Sequence, residues 1–248
     1  MDRLGIIDWG IGGISIYKLI KERLGQLPVT YLSDTGVTPY GKMTRPELVA
    51  RLDSVIRHLK KQGVTHLVIG CNAASTAIPY LKDHGINVEG VIDSAVETIV
   101  KLKPKRLGLI GGRRTVLSGV YRKAFAAHGI EVEQRIAQPL SALIESGDVS
   151  SAALQNDSNR ILAPLRSCSH ILLACTHYPA AIDVLRGYVS SETVFIDPAA
   201  GLVRRVGRWD LEGSGEDVFL TTGDTRTMRT AAKAAFDVVI AYAQDTVV

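Results

Sequence analysis

The chain has 248 residues, of which 46% are hydrophobic and 22% charged, and its formal net charge of +4 is mild. These values are ordinary for a globular protein in solution, and no apolar run reaches the roughly 18 residues that a transmembrane helix needs. Three widely spaced cysteines without a Cys-x-x-Cys pair argue against a disulfide framework and against a structural zinc site.

Strand and helix signals alternate along the first half, which is typical of an α/β protein with a parallel sheet. The helix from Arg45 to Lys61 begins with a capping box, formed by Thr44 as the cap and Glu47 three residues later. The other predicted elements of this half are the strand Leu4–Asp8, a helix to about Leu24, the strand Val29–Leu32, a strand ending at Cys71, a further helix and the strand Val88–Ile92.

The pattern restarts at Arg106, and the closing part of the chain is expected to pack on the first half. The predicted elements are the strand Leu107–Ile110, the helix Ser118–His128, the strand Glu131–Arg135, a strand ending at Cys175, the strand Val194–Asp197, the strand Val218–Thr221 and a helix from Asp224 to about Ala243. We therefore expect two similar parallel-sheet α/β lobes related by pseudo-twofold symmetry, with the active site in the cleft between them. The first lobe comprises residues 1–97 plus 210–248, and the second comprises residues 98–209.

Two cysteines stand at matching points of the two halves. Cys71 and Cys175 each end an apolar run of similar length, and 104 residues separate them. The apolar run that begins at Leu4 is repeated 103 residues later at Leu107, so one internal duplication explains both this repeat and the matching cysteines. It would place two thiols opposite each other at the carboxyl ends of strands, where open parallel sheets bind their ligands.

Each of these thiols stands where a strand is followed by a helix-like segment, and a helix N-terminus lowers the pKa of a thiol. The alternative is that both are buried and inert, as cysteines often are, but their equivalent positions beside polar residues favour function. Cys168 is interpreted as incidental. His177 could transfer a proton or polarise a substrate group, and Asp8 could accept a hydrogen bond from an amino group or simply cap a helix.

The turn Gly10-x-Gly12-Gly13 partly matches a dinucleotide-binding motif, with Asp34 near the position of a ribose-binding acid. The third glycine is replaced by Ser15, so this match is weak. Turn glycines that bring backbone amides close to a small anionic ligand explain the pattern equally well.

In chain order, these residues resemble the aspartate/glutamate racemase superfamily, and glutamate racemase most closely. The motifs that carry the resemblance are Asp8 with Gly10-x-Gly12-Gly13, Asp34-Thr35 with Pro39-Tyr40-Gly41, Cys71-Asn72, Thr115 with Ser118-Gly119-x-Tyr121, Glu145-x-Gly147 and Cys175-Thr176-His177-Tyr178. They extend from the first strand to about Ala200, and the closing strand and helix are also similar to the family.

The resemblance implies a racemase that needs neither pyridoxal phosphate nor a metal and uses one cysteine on each face of the α-carbon. Cys175 would act on the L-enantiomer and Cys71 on the D-enantiomer, with glutamate as the substrate and peptidoglycan synthesis as the use of D-glutamate. The residues implied to assist the thiols are Asp8, Glu145 and His177. The residues implied to bind substrate or line the pocket are Asp8, Trp9, Pro39, Tyr40, Gly41, Asn72, Ala73, Thr115, Thr176 and His177.

Four positions depart from the family pattern. Trp9 replaces a serine and Ala73 a threonine, which removes two hydroxyl groups beside the expected site, and each loss could cost about 1–3 kcal/mol if nothing replaces it. Gly112 and Pro198 also replace hydroxyl residues. The substrate could therefore be aspartate or another amino acid, or the protein could bind an acidic ligand with little turnover. A decarboxylase of the same superfamily is disfavoured because that chemistry needs only one thiol.

The remaining expectations concern location and partners. Met1-Asp2-Arg3 leads directly into a strand-like run without the layout of a signal peptide, so the expected location is the cytoplasm. Short basic clusters such as Arg113-Arg114 are diluted by acidic residues and indicate a solvated surface or attraction for small anions, so no nucleic acid is expected. No membrane is expected either, and the six histidines show no metal-ligand spacing, so no metal is expected. The expected partner is an amino-acid substrate. The oligomeric state is left open, with a homodimer among the candidates.

Overall fold

Ten strands form two separate parallel sheets in the computed structural model, which describes residues 1–248. In chain order the strands are β1 (Leu4–Asp8), β2 (Val29–Ser33), β3 (His66–Ile69), β4 (Asn87–Gly90), β5 (Leu107–Gly111), β6 (Val132–Ile136), β7 (His170–Ala174), β8 (Val194–Ile196), β9 (Val218–Thr221) and β10 (Gln244–Asp245). The first sheet has the order β10-β9-β2-β1-β3-β4, and the second has the order β6-β5-β7-β8.

Eleven α-helices connect and cover these strands. They are α1 (Ile14–Leu24), α2 (Arg45–Lys61), α3 (Asn72–Ser75), α4 (Val91–Leu102), α5 (Arg113–Ser118), α6 (Val120–Ala126), α7 (Gln138–Glu145), α8 (Ala152–Leu162), α9 (Ile182–Arg186), α10 (Ala199–Val206) and α11 (Thr225–Phe236). None of them combines the length and apolar character required of a membrane-spanning helix. The predicted fold class, two parallel-sheet α/β lobes, is confirmed.

The two sheets have the same connection pattern, as the internal sequence repeat predicted. The order β2-β1-β3-β4 in the first sheet corresponds to β6-β5-β7-β8 in the second. Leu4 lies opposite His66 in the first sheet, and Leu107 lies opposite His170 in the second. The central strands β1 and β5 are completely buried because helices cover both faces, which explains why their sequences are nearly continuous apolar runs.

Helix α4 joins the two hydrophobic cores. Its first residue, Val91, belongs to the core cluster around β1, whereas Ile92 and Ile99 pack with Leu107 of β5. Helix α10 packs closely on α4 because Gly201 has no side chain, and an added Cβ would lie 2.9 Å from Thr98 Oγ1. These two helices therefore lie where the lobes meet.

Several predicted element boundaries were wrong, for identifiable reasons. The strand predicted at Val88–Ile92 ends at Gly90, because Val91 already begins α4. The helix predicted at Ser118–His128 is interrupted at Gly119, whose φ of 67° separates α5 from α6. The last helix ends at Phe236 rather than near Ala243, since Asp237 adopts a left-handed conformation. The capping box of α2 is present as predicted.

Asp34, which follows β2, is fully buried and completely hydrogen-bonded. Its Oδ2 accepts from Arg51 Nε at 2.9 Å and from the Tyr40 hydroxyl at 2.6 Å. Its Oδ1 accepts from Arg51 Nη2 at 2.6 Å and from Thr222 Oγ1 at 2.8 Å. The carboxylate considered for a ribose therefore forms a structural ion pair that joins β2, α2 and the segment after β9.

We predict that Arg51→Ala lowers the free energy of unfolding by about 3–5 kcal/mol, because it leaves a buried carboxylate without its counter-charge. Urea denaturation followed by circular dichroism measures this loss. Arg57→Ala is the control, since Arg57 is exposed on the same helix and bonds only to Ser54. Equal effects of the two substitutions would contradict the assignment.

Candidate active site

A cavity of about 540 Å³ lies at the carboxyl ends of the strands of both sheets. Every residue for which the sequence predicted a catalytic or binding role lines it. These residues are Asp8, Trp9, Pro39, Tyr40, Gly41, Cys71, Asn72, Ala73, Thr115, Glu145, Cys175, Thr176 and His177. The structure thus brings together side chains from loops that are up to 169 residues apart in the chain.

Cys71 reaches the cavity as the N-cap residue of α3, two residues beyond the end of β3. Burial of the thiol raises its pKa well above the ordinary value, and the negative charge of Asp8 adds to this effect. The backbone amides of Ala73 and Ala74 act in the opposite direction but are outweighed. The expected lowering of this pKa by a helix N-terminus is therefore wrong for Cys71, because α3 has only four residues and the site is buried.

Cys175 directly follows β7 and has a different environment. Its Sγ lies 3.6 Å from His177 Nδ1, and His177 Nε2 lies 2.6 Å from Glu145 Oε2. Burial opposes the charged imidazole, but the hydrogen bonds and charges of Cys175 and Glu145 outweigh it and raise the pKa of His177 well above its ordinary value. Cys175 is therefore paired with a histidine that favours the imidazolium form.

The glycines of the turn after β1 make room for side chains of the second lobe. A Cβ on Gly10 would lie 2.0 Å from Glu145 Oε2, and a Cβ on Gly12 would lie 2.3 Å from Thr176 Oγ1. The backbone amide of Ile11 donates to Glu145 Oε2 at 2.9 Å. The anion held by this turn is thus a carboxylate of the protein itself.

Asp8 is 1% exposed and lies at the junction of the two lobes. Its Oδ2 accepts from Thr176 Oγ1 at 2.7 Å, and its Oδ1 accepts from the Trp9 amide at 2.7 Å. Burial raises the pKa of Asp8, although the charge of His177 and these hydrogen bonds act against the rise. The carboxyl group is also close enough to Cys71 for its charge to raise the pKa of that thiol.

Trp9 and Tyr40 form fixed parts of the cavity wall. The Trp9 indole Nε1 donates to the Val37 carbonyl at 3.1 Å, and the ring packs against the core of the first lobe while it lines the cavity. The Tyr40 hydroxyl donates to the buried Asp34. The large side chain at position 9 thus restricts the space available to a substrate.

Asn72 presents a free amide group inside the site. Its Oδ1 accepts from the Tyr121 hydroxyl at 2.7 Å, whereas its buried Nδ2 has no hydrogen-bond partner. Thr115, only 1% exposed, also lines the cavity. These groups are suited to bind a polar substrate.

Sequence reasoning missed the cationic part of the cavity wall. Arg113 and Arg114 follow β5 and line the cavity, as does Lys42. The sequence indicates for this arginine pair either a solvated surface or attraction for small anions, without placing it in the site. The signal that could have identified it is its position between Gly111, at a strand end, and the predicted substrate-binding residue Thr115.

The relatives of this chain form one group. The family model Asp/Glu/Hydantoin racemase matches residues 4–206. The glutamate racemase of Synechococcus sp. (strain CC9605) is 33% identical over 210 residues, which cover 82% of this chain and 78% of the relative. The glutamate racemase of Aquifex aeolicus (strain VF5) is 34% identical over 196 residues, which cover 77% of each chain.

Solved structures show the same fold along almost the whole length. A glutamate racemase isoform of Bacillus anthracis aligns with a TM-score of 0.88 at 22% identity and covers 99% of this chain and 97% of that one. The glutamate racemase of Thermus thermophilus, solved with β-chloro-D-alanine, aligns with a TM-score of 0.84 at 25% identity and covers 99% and 96%. The chain belongs to the Asp/Glu/hydantoin racemase family and is an amino-acid racemase similar to glutamate racemase.

Proposed function

We propose that this racemase interconverts L- and D-glutamate without a cofactor, using Cys71 and Cys175 as its two acid–base groups. The observation that carries the proposal is the position of the two thiols: they follow corresponding strands, β3 and β7, and line one cavity from opposite lobes. One thiolate removes the α-proton, and the thiol on the opposite face delivers a proton to the resulting carbanion. No electron transfer is involved, and the two cysteines exchange protonation states in each turnover.

The unlike surroundings of the thiols support this division of labour, because two-base catalysis requires one group ionised and the other protonated. Cys175 lies beside His177, whose positive charge stabilises a thiolate. Cys71 lies beside Asp8, and its raised pKa favours the protonated thiol. We therefore assign the base to Cys175 and the acid to Cys71 when L-glutamate is the substrate.

The other cavity residues have roles that follow from their free or polar groups. Asp8 assists Cys71 and accepts a hydrogen bond from the substrate ammonium, whereas Glu145 holds His177 beside Cys175. Asn72 Nδ2 and Thr115 donate to substrate carboxylates, whereas the Thr176 hydroxyl, which donates to Asp8, lines the substrate pocket beside them. Such fixed donors in a partly closed cavity stabilise the carbanion more effectively than water does.

We also propose that the enzyme works in the cytoplasm and supplies D-glutamate for peptidoglycan. The support is the similarity to the glutamate racemases of several bacteria.

We predict that Cys71→Ala and Cys175→Ala each reduce racemisation by roughly 10²–10⁴-fold, the usual contribution of a positioned acid or base. Circular dichroism measures racemisation, and NMR in D₂O measures exchange of the α-proton. Cys175→Ala should retain exchange only with D-glutamate, and Cys71→Ala only with L-glutamate. Cys168→Ala is the control, since Cys168 is buried in the core of the second lobe. Full racemisation in either cavity variant would exclude the two-base mechanism.

We predict that His177→Gln shifts the acid limb of the pH profile of kcat/KM upward by roughly 1–3 pH units. The direction follows from the raised pKa of His177: its imidazolium form persists to higher pH than that of an ordinary histidine, and removing a positive charge beside a thiol disfavours the ionised form. Both enantiomers should show the same shift, because their equilibrium constant is one. His170→Gln, at the far end of β7, is the control. An unchanged acid limb would contradict the role of His177.

We predict that, in a panel of L- and D-amino acids followed by circular dichroism, glutamate is racemised with the highest kcat/KM. The double variant of Cys71 and Cys175 to alanine provides the blank. Turnover of aspartate or another amino acid, with none of glutamate, would instead indicate that Trp9 and Ala73 have changed the substrate.

A further inference from the structure

Arg114 connects the two lobes across the cavity. It belongs to α5, in the second lobe, but its Nη1 donates to the Met43 carbonyl at 2.6 Å and its Nε donates to Thr76 Oγ1 at 3.2 Å. Met43 and Thr76 both belong to loops of the first lobe. These bonds fix the plane of the guanidinium group at the cavity wall.

The charge of Arg114 has no acidic partner. Both of its acceptors are neutral, and it takes part in none of the ion pairs of the molecule, in contrast to Arg51, which is paired with the buried Asp34. A guanidinium group has five N–H donors, of which two are used here. Three donors and a full positive charge remain for a ligand.

The surroundings of Arg114 increase its attraction for an anion. Partial burial lowers the pKa of its guanidinium group, and the nearby charge of Arg45 acts in the same direction. Both effects destabilise the positive charge, so a bound anion would stabilise it, as a Cys71 thiolate would. Neither acidic group of the cavity is bonded to Arg114: Asp8 accepts from Thr176, and Glu145 pairs with His177. The cavity therefore has an uncompensated positive region at one wall.

We propose that Arg114 binds the side-chain carboxylate of the substrate and thereby makes the site selective for acidic over neutral amino acids. This inference rests on the proposed function of the same cavity. The α-carboxylate has its own donor in the free Nδ2 of Asn72, which directly follows Cys71 in the chain. Arg114, anchored on Met43 and Thr76, can then receive the second carboxylate with the paired geometry that a guanidinium group offers.

The test compares glutamate with glutamine, which has the same shape but a neutral side chain. Arg114→Gln should raise KM for glutamate at least tenfold with a smaller change in kcat, and it should leave the kcat/KM of α-proton exchange with glutamine nearly unchanged. Arg114→Lys should recover part of the affinity for glutamate. Arg122→Gln, which removes the same charge from an exposed position of α6 outside the cavity, is the control.

An equal loss with both amino acids would overturn the inference, because it would indicate that Arg114 binds the α-carboxylate or acts on Cys71. Unchanged kinetics with glutamate would also overturn it. Binding of glutamate and glutamine, measured by isothermal titration calorimetry, separates this inference from the proposed function. Suppose that the wild-type protein shows no α-proton exchange, but binds glutamate at least tenfold more tightly than glutamine, and that Arg114→Gln abolishes this preference. That result would refute the proposed function and leave the inference about Arg114 intact.

Discussion

Short polar contacts between the lobes form the candidate active site and hold its parts in place. The carboxylate of Glu145, in the second lobe, accepts from the Ile11 amide of the first lobe and simultaneously holds His177. A second contact joins Thr176 to Asp8. Both require a turn after β1 without side chains at Gly10 and Gly12. The same contacts therefore determine both the relative position of the lobes and the orientation of the residues around Cys175.

This constraint explains why the two halves, although similar in topology, are chemically unlike. The corresponding strands β3 and β7 each lead into a cysteine, but only Cys175 is followed by a histidine within reach of its sulfur. Cys71 is followed by Asn72, whose amide leaves the thiol without a cationic partner on its own loop. A duplicated scaffold thus provides symmetric positions, and the residues after each strand provide the unlike surroundings that the proposed two-base reaction needs.

The sequence predicted those features that depend on strand ends and on glycine, because hydrophobic period and chain repetition are local signals. Every predicted site residue lines the cavity for this reason. Contacts between distant segments were not predictable. Asp34 looked like a ligand-binding acid, yet its partner Arg51 lies on a helix whose direction only the fold determines. Arg114 belongs to a basic cluster whose role stayed open between surface charge and attraction for small anions, since nothing local indicates that its guanidinium group reaches Met43.

Arg114 also gives a physical reason why the altered residues near the thiols are compatible with an acidic substrate. Trp9 and Ala73 remove hydroxyl donors, and each missing hydrogen bond costs about 1–3 kcal/mol when its acceptor stays unpaired. A charge-assisted, two-fold hydrogen bond from a guanidinium group is roughly twice as strong as a neutral one. One arginine can therefore offset two lost hydroxyl groups, provided that the substrate carries a second carboxylate. On the proposed assignment, the charge of Arg114 compensates for the hydroxyl groups absent at positions 9 and 73, and recognition of the substrate depends more on a cation at the cavity wall than on neutral donors beside the thiols.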